Sequence, residues 1–299
     1  MRTHEDVLGI CKKALEEYLN TPEFDRSLTK LEKKYGIRRQ TLSEHFKLWG
    51  YDIINQQNRS RLNEHAFDSM DNEDQFYWLG FLYADGNISK TGNRLEVRLS
   101  INDLDHLEKF RQFLNLSTKI RTGICNGNGF CHLAVRNKYL WNILNNLGCV
   151  PQKTLKLKFP DFSIFKNKRN ILHFIRGYVD GDGCLCIYKK SQNGSLRTCL
   201  SLVGTESFLQ TVNNLFENVG YIHNKNCTNW PNKAFELSFN DVTSRKIARY
   251  LYANSSIYLE RKYEKFLEFC RIEEESSRRK SSKIGELCDE NTEITFKIT

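Results

Sequence analysis

The sequence predicts an α+β protein with two pseudo-symmetric αββαββα repeats behind an all-helical N-terminal domain. Three observations predict this fold. A short apolar phrase ending in Asp-Gly occurs twice, at residues 78–86 (WLGFLYADG) and 175–183 (IRGYVDGDG). Each copy precedes the same order of strand-like and helix-like segments, which indicates duplication of a whole unit. The first 60 residues instead contain successive stretches of apolar residues at helical spacing.

These patterns divide the chain into five segments. We assign residues 1–60 to the helical domain, 61–74 to a linker, 75–160 to the first repeat, 161–272 to the second repeat and 273–299 to a tail. The tail is charged and Ser-rich, so most of it is expected to be disordered, with a late strand at 294–298.

Composition limits the functional classes. The 299 residues carry a net charge of +9, which suits a polyanionic partner. No run approaches the roughly 20 apolar residues of a membrane span, and the start lacks a signal-peptide pattern. We therefore expect no membrane partner and a cytoplasmic or other reducing compartment. The ten cysteines are scattered without a C-x-x-C pair, so neither disulfides nor a zinc site is expected.

The N-terminal segment resembles a helix-turn-helix. A helix is expected over residues 5–19, Ser27 is placed to cap a second one, Gly36 breaks it, and a third begins near Arg39. The third helix presents groups that suit phosphates and base edges: Arg38, Arg39, Gln40, Thr41, Ser43, Glu44 and Lys47. The alternative is an ordinary helical hairpin whose polar face is solvated.

The first repeat contains a strictly alternating strand. In residues 94–101 the apolar side chains fall on one face and charged or polar ones on the other, as in a half-buried strand with an open charged face. A hairpin with an Asn126-Gly127 turn follows. The second repeat gives the same order, with a turn at Asn193-Gly194.

The repeated phrase predicts a close pair of helices. Small residues recur four positions apart in both copies: Gly80 and Ala84, then Gly177 and Gly181. Two such bare strips would let two helix backbones approach more closely than the usual 8–10 Å. Asp85 and Asp182 would then emerge side by side, with Gly86 and Gly183 ending the helices in a left-handed conformation.

Two carboxylates at helix C-termini are electrostatically unfavourable. Each opposes the helix dipole, and the pair repel each other, which raises one pKa. A divalent cation relieves both costs, and carboxylate and carbonyl oxygens suit Mg²⁺, Ca²⁺ or Mn²⁺ rather than zinc. The alternative is that each aspartate caps or ion-pairs locally.

With these residues in view, the two phrases resemble the signature helices of the LAGLIDADG homing endonucleases, in the monomeric two-repeat form. The resemblance covers about residues 75–270, and the first copy departs from the family phrase at Tyr83, where the family often has Asp. It implies antiparallel, saddle-shaped sheets over the DNA major groove. It also implies a monomer that cleaves both strands of a long, asymmetric double-stranded DNA site.

The resemblance also implies the site residues. Metal ions would be held by Asp85 and Asp182 with the backbone oxygens of Ala84 and Gly181. Mg²⁺ or Mn²⁺ would support cleavage, whereas Ca²⁺ would bind without supporting it. The segments at 151–154 and 258–262 resemble those that carry a basic residue in the family, which makes Lys153 and Lys262 the candidates. Each lysine is alternatively a solvated surface charge.

Two further sets follow from the resemblance. Polar residues around the attacking water would be Asp103 and Thr205. DNA contacts would come from the open strand faces: Arg94, Glu96, Arg98, Arg121, His132 and Arg136 in the first repeat, and Lys190, Arg197, Lys225 and Glu236 in the second.

The leading hypothesis is a sequence-specific, metal-dependent DNA endonuclease whose helix-turn-helix enlarges the footprint, from an intron-encoded or free-standing mobile element. Two alternatives stay open: a group I intron maturase that binds intron RNA, and a catalytically silent DNA-binding regulator. An intein is disfavoured because the splice-junction Cys and the terminal His-Asn are missing.

Overall fold

The computed structural model describes residues 3–21, 26–51, 61–89, 92–151, 153, 156–190, 194–224 and 234–281. The chain divides into two compact units, Met1–Leu62 and Asn63–Thr299. Three sequence predictions lie outside the described residues: Lys225, Asn193 of the second-repeat turn, and the strand at 294–298.

The first unit contains three helices: α1 (His4–Asn20), α2 (Leu28–Tyr35) and α3 (Arg39–Leu48). Ser27 caps α2 by accepting a hydrogen bond from the Lys30 amide. Gly36 ends α2 with φ 63°, a left-handed conformation that favours glycine. The helices enclose a small core of Cys11, Ala14, Leu15, Tyr18, Leu31, Ile37, Leu42 and Phe46.

The second unit contains both repeats, which confirms the predicted α+β architecture. The first repeat runs α4 (Glu73–Ala84), β1 (Gly86–Ile88), β2 (Arg94–Ser100), α5 (Leu104–Phe113), β3 (Arg121–Cys125), β4 (Asn128–Arg136) and α6 (Lys138–Asn146). The second runs α7 (Lys168–Asp182), β5 (Gly183–Lys189), β6 (Leu196–Gly204), α8 (Glu206–Leu215), β7 (Tyr221–Asn224), β8 (Phe235–Asn240) and α9 (Asp241–Tyr252), followed by α10 (Glu260–Ser281).

Each repeat forms a four-stranded antiparallel sheet with the same topology. The strand orders are β1-β2-β4-β3 and β5-β6-β8-β7. In β2, Leu95, Val97 and Leu99 are buried while the intervening side chains are not. One face of each sheet packs on helices, α5 and α6 in the first repeat and α8 and α9 in the second. The other face is left for contacts outside the core.

Two boundaries differ from the prediction. The segment predicted as a linker, 61–74, packs onto the first repeat because it carries three apolar side chains, Ala66, Phe67 and Met70, which are buried. Its Asn63 amide also donates to the Leu114 carbonyl at 2.8 Å. At the other end, α10 continues to Ser281, beyond the point where we predicted the disordered tail to begin.

The two phrase helices contact each other backbone to backbone. A Cβ atom added at Gly80 would lie 1.9 Å from the Phe174 carbonyl oxygen, and one at Gly177 would lie 2.0 Å from that of Tyr77. Neither helix can accept a side chain at these positions without moving, since real Cβ contacts are never this short. The α4–α7 contact therefore requires glycine on both sides.

The prediction for Gly86 and Gly183 was wrong in its physical reason. Neither glycine has a positive φ, and Gly183 is extended at φ −91°, ψ 169°. A Cβ at Gly86 would instead lie 2.6 Å from the Leu82 carbonyl oxygen, and one at Gly183 would lie 2.5 Å from that of Val179. Each helix turns directly into a strand, and glycine provides the room for that turn.

Gly80→Ala is expected to destabilise the second unit by about 3 kcal/mol, because the helix backbones must separate to admit the methyl group. Urea denaturation followed by circular dichroism measures the change. The matched control is Gly9→Ala in α1, where nothing lies within 4 Å of the added Cβ. That variant should be about 0.5–1 kcal/mol more stable than wild type, because alanine loses less conformational entropy than glycine within a helix. A Gly80→Ala protein as stable as wild type would contradict the close contact.

Candidate active site at the paired helix ends

The ends of α4 and α7 bring two carboxylates into one site. Asp85 follows the last residue of α4, and its amide donates to the Phe81 carbonyl at 2.9 Å. Asp182 is the last residue of α7 and is exposed. A Cβ at Gly181 would lie 2.3 Å from the Ala84 Cβ and 3.2 Å from Asp85 Oδ2. The predicted residues Ala84, Asp85, Gly181 and Asp182 thus lie together.

The electrostatics of Asp85 reflect this crowding. Burial raises its pKa to about 6, and the negative charge of Asp182 contributes in the same direction. Lys153, Arg261 and Lys262 oppose the shift without cancelling it. Burial and the neighbouring carboxylate both disfavour the charged form of Asp85, and a hard cation bound beside it would offset both.

Lys153 lies at the C-terminal end of α4. Its ammonium donates to three backbone carbonyls, those of Leu82 at 2.6 Å, Ala84 at 2.5 Å and Gly86 at 2.5 Å. These include carbonyls that have no partner within the helix, and a cation here is favoured by the helix dipole. Burial lowers the Lys153 pKa, while Cys149 and the two aspartates act in the opposite direction.

Lys262 occupies the equivalent place in the second repeat. Its ammonium donates to the Gly183 carbonyl, as that of Lys153 donates to Gly86. The Lys262 side chain is buried, and burial lowers its pKa, with Arg261 adding to the effect. Each lysine therefore binds the carbonyl of the glycine that follows the aspartate of its own repeat.

Asp180 is a fully buried carboxylate that was not predicted from the sequence, and it fixes the loop that leads into α10, the helix that carries Lys262. Asp180 accepts hydrogen bonds from the Tyr77 hydroxyl at 2.6 Å, the Tyr252 hydroxyl at 2.5 Å and the Leu259 amide at 2.7 Å. Burial raises the Asp180 pKa and these three bonds lower it. The available signal was an acidic residue inside the apolar phrase, at a position where the first copy has Tyr83.

A second buried charge supports the same loop. Arg176 donates to the carbonyls of Leu251 and Ile257, both at 3.0 Å, and pairs with Glu73 at 2.6 Å. Glu73 also accepts from the Ser256 amide at 2.8 Å. Because Glu73 begins α4 and Arg176 lies in α7, this network ties the loop to both phrase helices.

Asp103 and Thr205 take part in structural contacts. Asp103 is buried and pairs with Arg261 at 3.1 Å, which links the two repeats. Thr205 donates to the Leu157 carbonyl at 2.5 Å and accepts from the Phe208 amide, so it caps α8. The structure therefore gives both predicted residues a structural role.

The open face of the first sheet collects the predicted charged residues. Directly opposite residues share a face, and the register pairs Arg94 with Arg136, and His132 with both Arg98 and Arg121. Glu96 lies between Arg94 and Arg98 on the same face of β2, and it forms an ion pair with Arg94 at 2.5 Å. An open cleft joins this face to Asp85, and its lining residues are Asp85, Asn87, Glu96, Arg98, Phe130 and His132.

The open face of the second sheet is less charged among the described residues. Arg197 lies there opposite Tyr188, and Glu236 lies opposite Val203. Arg197 pairs with Asp241 at 2.6 Å, a partner that the sequence analysis did not identify. Lys190 lies in the turn that follows β5.

The polar side of α3 is arranged as the sequence predicts. Arg38, Arg39 and Gln40 are exposed, and Thr41 and Ser43 are partly exposed. Leu42 and Phe46 face the core of the first unit. Nucleic-acid contact by this helix stays a prediction.

Within the described residues, no group of three or more His, Cys, Asp or Glu side chains is arranged to hold a metal ion. The two carboxylates and the adjacent backbone oxygens are nevertheless hard oxygen donors of the kind that suits Mg²⁺ or Mn²⁺. In the same part of the chain, no helix has the length and apolar character needed to cross a bilayer.

Among the known proteins compared with this chain, similarity is found to solved structures. No family model matches the chain, and no curated protein matches it. I-LtrWI, a LAGLIDADG homing endonuclease bound to target DNA, is 13% identical over 68% of this chain and 92% of that one, with a TM-score of 0.46. I-SmaMI, a meganuclease bound to uncleaveable DNA, is 11% identical over 69% and 91%, with a TM-score of 0.47. I-GzeII with its DNA target is 15% identical over 71% and 92%, with a TM-score of 0.41.

The chain is similar to LAGLIDADG homing endonucleases. Each of these TM-scores lies below 0.5, so the similarity assigns no role to an individual residue of this chain.

Asp85→Asn is expected to change how stability depends on pH. In wild type without divalent cations, stability should fall as the pH rises from about 4 to about 6, because the folded pKa lies above the unfolded one. The variant has no carboxyl group to titrate here, so it does not lose this stability. The free energy of unfolding of the variant relative to wild type should therefore rise by up to about 3 kcal/mol between pH 4 and pH 7. Urea denaturation at both pH values measures the difference.

The control for this prediction is Asp105→Asn, which changes an exposed carboxylate in the first turn of α5. Its effect should vary by no more than about 1 kcal/mol over the same pH range. An Asp85→Asn advantage that is equal at pH 4 and pH 7 would show that this carboxylate is not destabilised by its surroundings.

Proposed function

We propose that the protein is a sequence-specific, metal-dependent endonuclease that cleaves double-stranded DNA. The observation that carries the proposal is the convergence of Asp85 and Asp182 at the ends of two touching helices. The pair lies beside an open sheet face rich in arginine, which suits a phosphodiester backbone. The net charge of +9 agrees with such a partner.

The carboxylates would hold the metal, with Mg²⁺ or Mn²⁺ active and Ca²⁺ bound without supporting cleavage. A divalent cation bound there would activate water and stabilise the leaving oxygen in phosphodiester hydrolysis. Asp85 and Asp182 face this task from different repeats, so each is suited to one strand of the duplex. Asp85 must lose its proton to bind a cation, which ties metal affinity to its raised pKa.

Lys153 and Lys262 would stabilise negative charge at the reacting phosphates. Their ammonium groups are fixed on the Gly86 and Gly183 carbonyls, one residue from each carboxylate. Because these cations are already fixed and partly desolvated, little reorganisation of the site is needed when negative charge develops in the transition state.

Recognition would use the open sheet faces in the major groove. Arg94, Arg98, Arg121 and Arg136 suit guanine edges or phosphates, and Glu96 suits cytosine. The two faces carry different side chains in a single chain, so a monomer would bind a long and asymmetric target. The protein would act in the cytoplasm or another reducing compartment.

The N-terminal helices would extend the footprint. Arg38 immediately precedes α3, Arg39 and Gln40 lie in its first turn, and all three are exposed, so they are accessible to a DNA groove. Gly36 provides the turn that precedes it. This unit would add contacts outside the cleavage site.

Asp85→Asn and Asp182→Asn should each reduce DNA cleavage at least about 10³-fold, because each removes a charge that holds the cation. Binding measured in Ca²⁺ should change by less than about 3-fold, within about 0.7 kcal/mol. The assay is cleavage of a supercoiled plasmid library with random inserts in Mg²⁺ or Mn²⁺.

Asp105→Asn, the exposed carboxylate variant, should cut as wild type does. If both site variants still cut, the assignment of the two aspartates is wrong. Tight binding to intron RNA with no cleavage of DNA would instead favour a maturase, and DNA binding without cleavage in any metal would favour a silent regulator.

Arg39→Ala should weaken binding to the selected duplex by about 10-fold, since a base or phosphate contact contributes about 1–3 kcal/mol. Lys13→Ala removes an exposed charge from α1 and serves as the control, with an expected change below about 3-fold. Fluorescence anisotropy at two salt concentrations measures both. Equal affinities for the two variants would argue against DNA contact by α3.

A further inference from the structure

Three thiols lie together on the open face of the second sheet. Cys184 and Cys186 alternate along β5 with the buried Leu185 between them, and their sulfur atoms are 3.9 Å apart. Cys186 lies directly opposite Cys199 on β6. Cys184 is exposed and the other two are partly exposed, so a small oxidant can reach the cluster.

The fold favours one of the possible sulfur pairs. Directly opposite residues on antiparallel strands have Cα atoms about 4.5–5.5 Å apart, within the roughly 4.4–6.8 Å range of disulfides. Cys184 and Cys186 are two residues apart on one strand, so their Cα atoms are separated by about 6.6 Å, at the edge of that range. The cross-strand pair Cys186–Cys199 therefore has the Cα spacing that a disulfide requires.

The contacts of these thiols connect all three cysteines. The Cys186 thiol is within hydrogen-bonding reach of both Cys184 and Cys199. The Cys199 thiol also reaches Ser238 on the neighbouring strand. Tyr188 and Arg197 are directly opposite each other two residues further along the strands, so this pair lies on the same open face as Cys186 and Cys199.

We propose that Cys186 and Cys199 form a reversible disulfide on this face, closed by a peroxide and opened by a thiol reductant. Two thiols give two electrons and two protons to one hydrogen peroxide, which forms one S–S bond and two waters. Closure draws the two Cβ atoms to about 3.8 Å and fixes the local twist of β5 against β6. A consequence, which rests on the proposed DNA-binding function, is weaker recognition of the half-site that the second repeat contacts.

The first test detects the bond without DNA. The full-length chain is treated with hydrogen peroxide, free thiols are alkylated, and tryptic peptides are analysed by mass spectrometry. Residues 177–189 hold Cys184 and Cys186, and residues 198–225 hold Cys199 as their one cysteine. The two peptides should be joined after oxidation and separate after dithiothreitol. Cys184→Ser should keep the link, whereas Cys186→Ser and Cys199→Ser should lose it.

Two results would overturn the assignment. One is an internal disulfide in peptide 177–189 with no joined partner, and the other is a link that survives in Cys186→Ser. Each serine variant is checked by circular dichroism, and Cys186→Ala is a second variant if the serine protein is misfolded.

The second test measures affinity for the duplex that the reduced protein selects. Oxidised wild type should bind about 10-fold more weakly, and dithiothreitol should restore it. Cys199→Ser should not respond, and Cys125→Ser, which changes an exposed thiol of the first repeat, should respond as wild type does. Unchanged affinity of the cross-linked protein would overturn the effect on recognition. Absence of DNA binding by the reduced protein would refute the proposed function and leave the cross-link result intact.

Discussion

The contact between Gly80 and Gly177 is the constraint on which the rest of the second unit depends. At this point α4 and α7 pack with backbone against backbone, since a Cβ on either glycine would lie within about 2 Å of a carbonyl oxygen of the other helix. Two helices held this closely must end close together, and their ends carry Asp85 and Asp182. The same contact sets the spacing of the two sheets, because each helix continues directly into the first strand of its own repeat.

The site that results is electrostatically strained, and the lysines reduce that strain. A carboxylate at a helix C-terminus faces the negative end of the dipole, and here two of them are adjacent. Lys153 and Lys262 place an ammonium on the carbonyl just beyond each aspartate. Part of the cost persists in the raised pKa of Asp85. Functional sites commonly retain such a cost to stability, and here a bound cation would remove it.

The sequence predicted the fold from local information. Duplication of the phrase, alternation in residues 94–101 and Gly-containing turns each act over a few residues, and the structure has the corresponding elements. The charged face of β2 was predictable for the same reason. The structural reason for Gly86 was not predictable from the sequence. A glycine can be needed for a positive φ or only because a Cβ would collide with a neighbouring atom, and which of these applies depends on how the chain continues after the helix.

Long-range polar partners were beyond sequence reasoning. Asp180 and Tyr77 are 103 residues apart, and their bond exists because α4 and α7 touch. Likewise the ion pair of Arg197 with Asp241 depends on the position of α9 relative to β6. The thiols of the second sheet illustrate the same limit: scattered cysteines in the sequence become a cross-strand pair once the register is known.

The difference between the two phrases at Tyr83 and Asp180 shows what the duplicated site must keep. Tyr83 in the first copy occupies the position of Asp180 in the second. The tyrosine donates to the Leu147 carbonyl at 2.6 Å, whereas the carboxylate accepts from the Leu259 amide at 2.7 Å.

The direction of the hydrogen bond is therefore reversed, and each loop presents the complementary backbone group. In the first repeat the loop passes so close to the Tyr83 hydroxyl that a Cβ at Gly148 would lie 1.9 Å from it, at φ +91°. Both arrangements anchor the segment that delivers a lysine to the carbonyl after the aspartate. The anchor can change its chemistry because only the position of the lysine is constrained by the site.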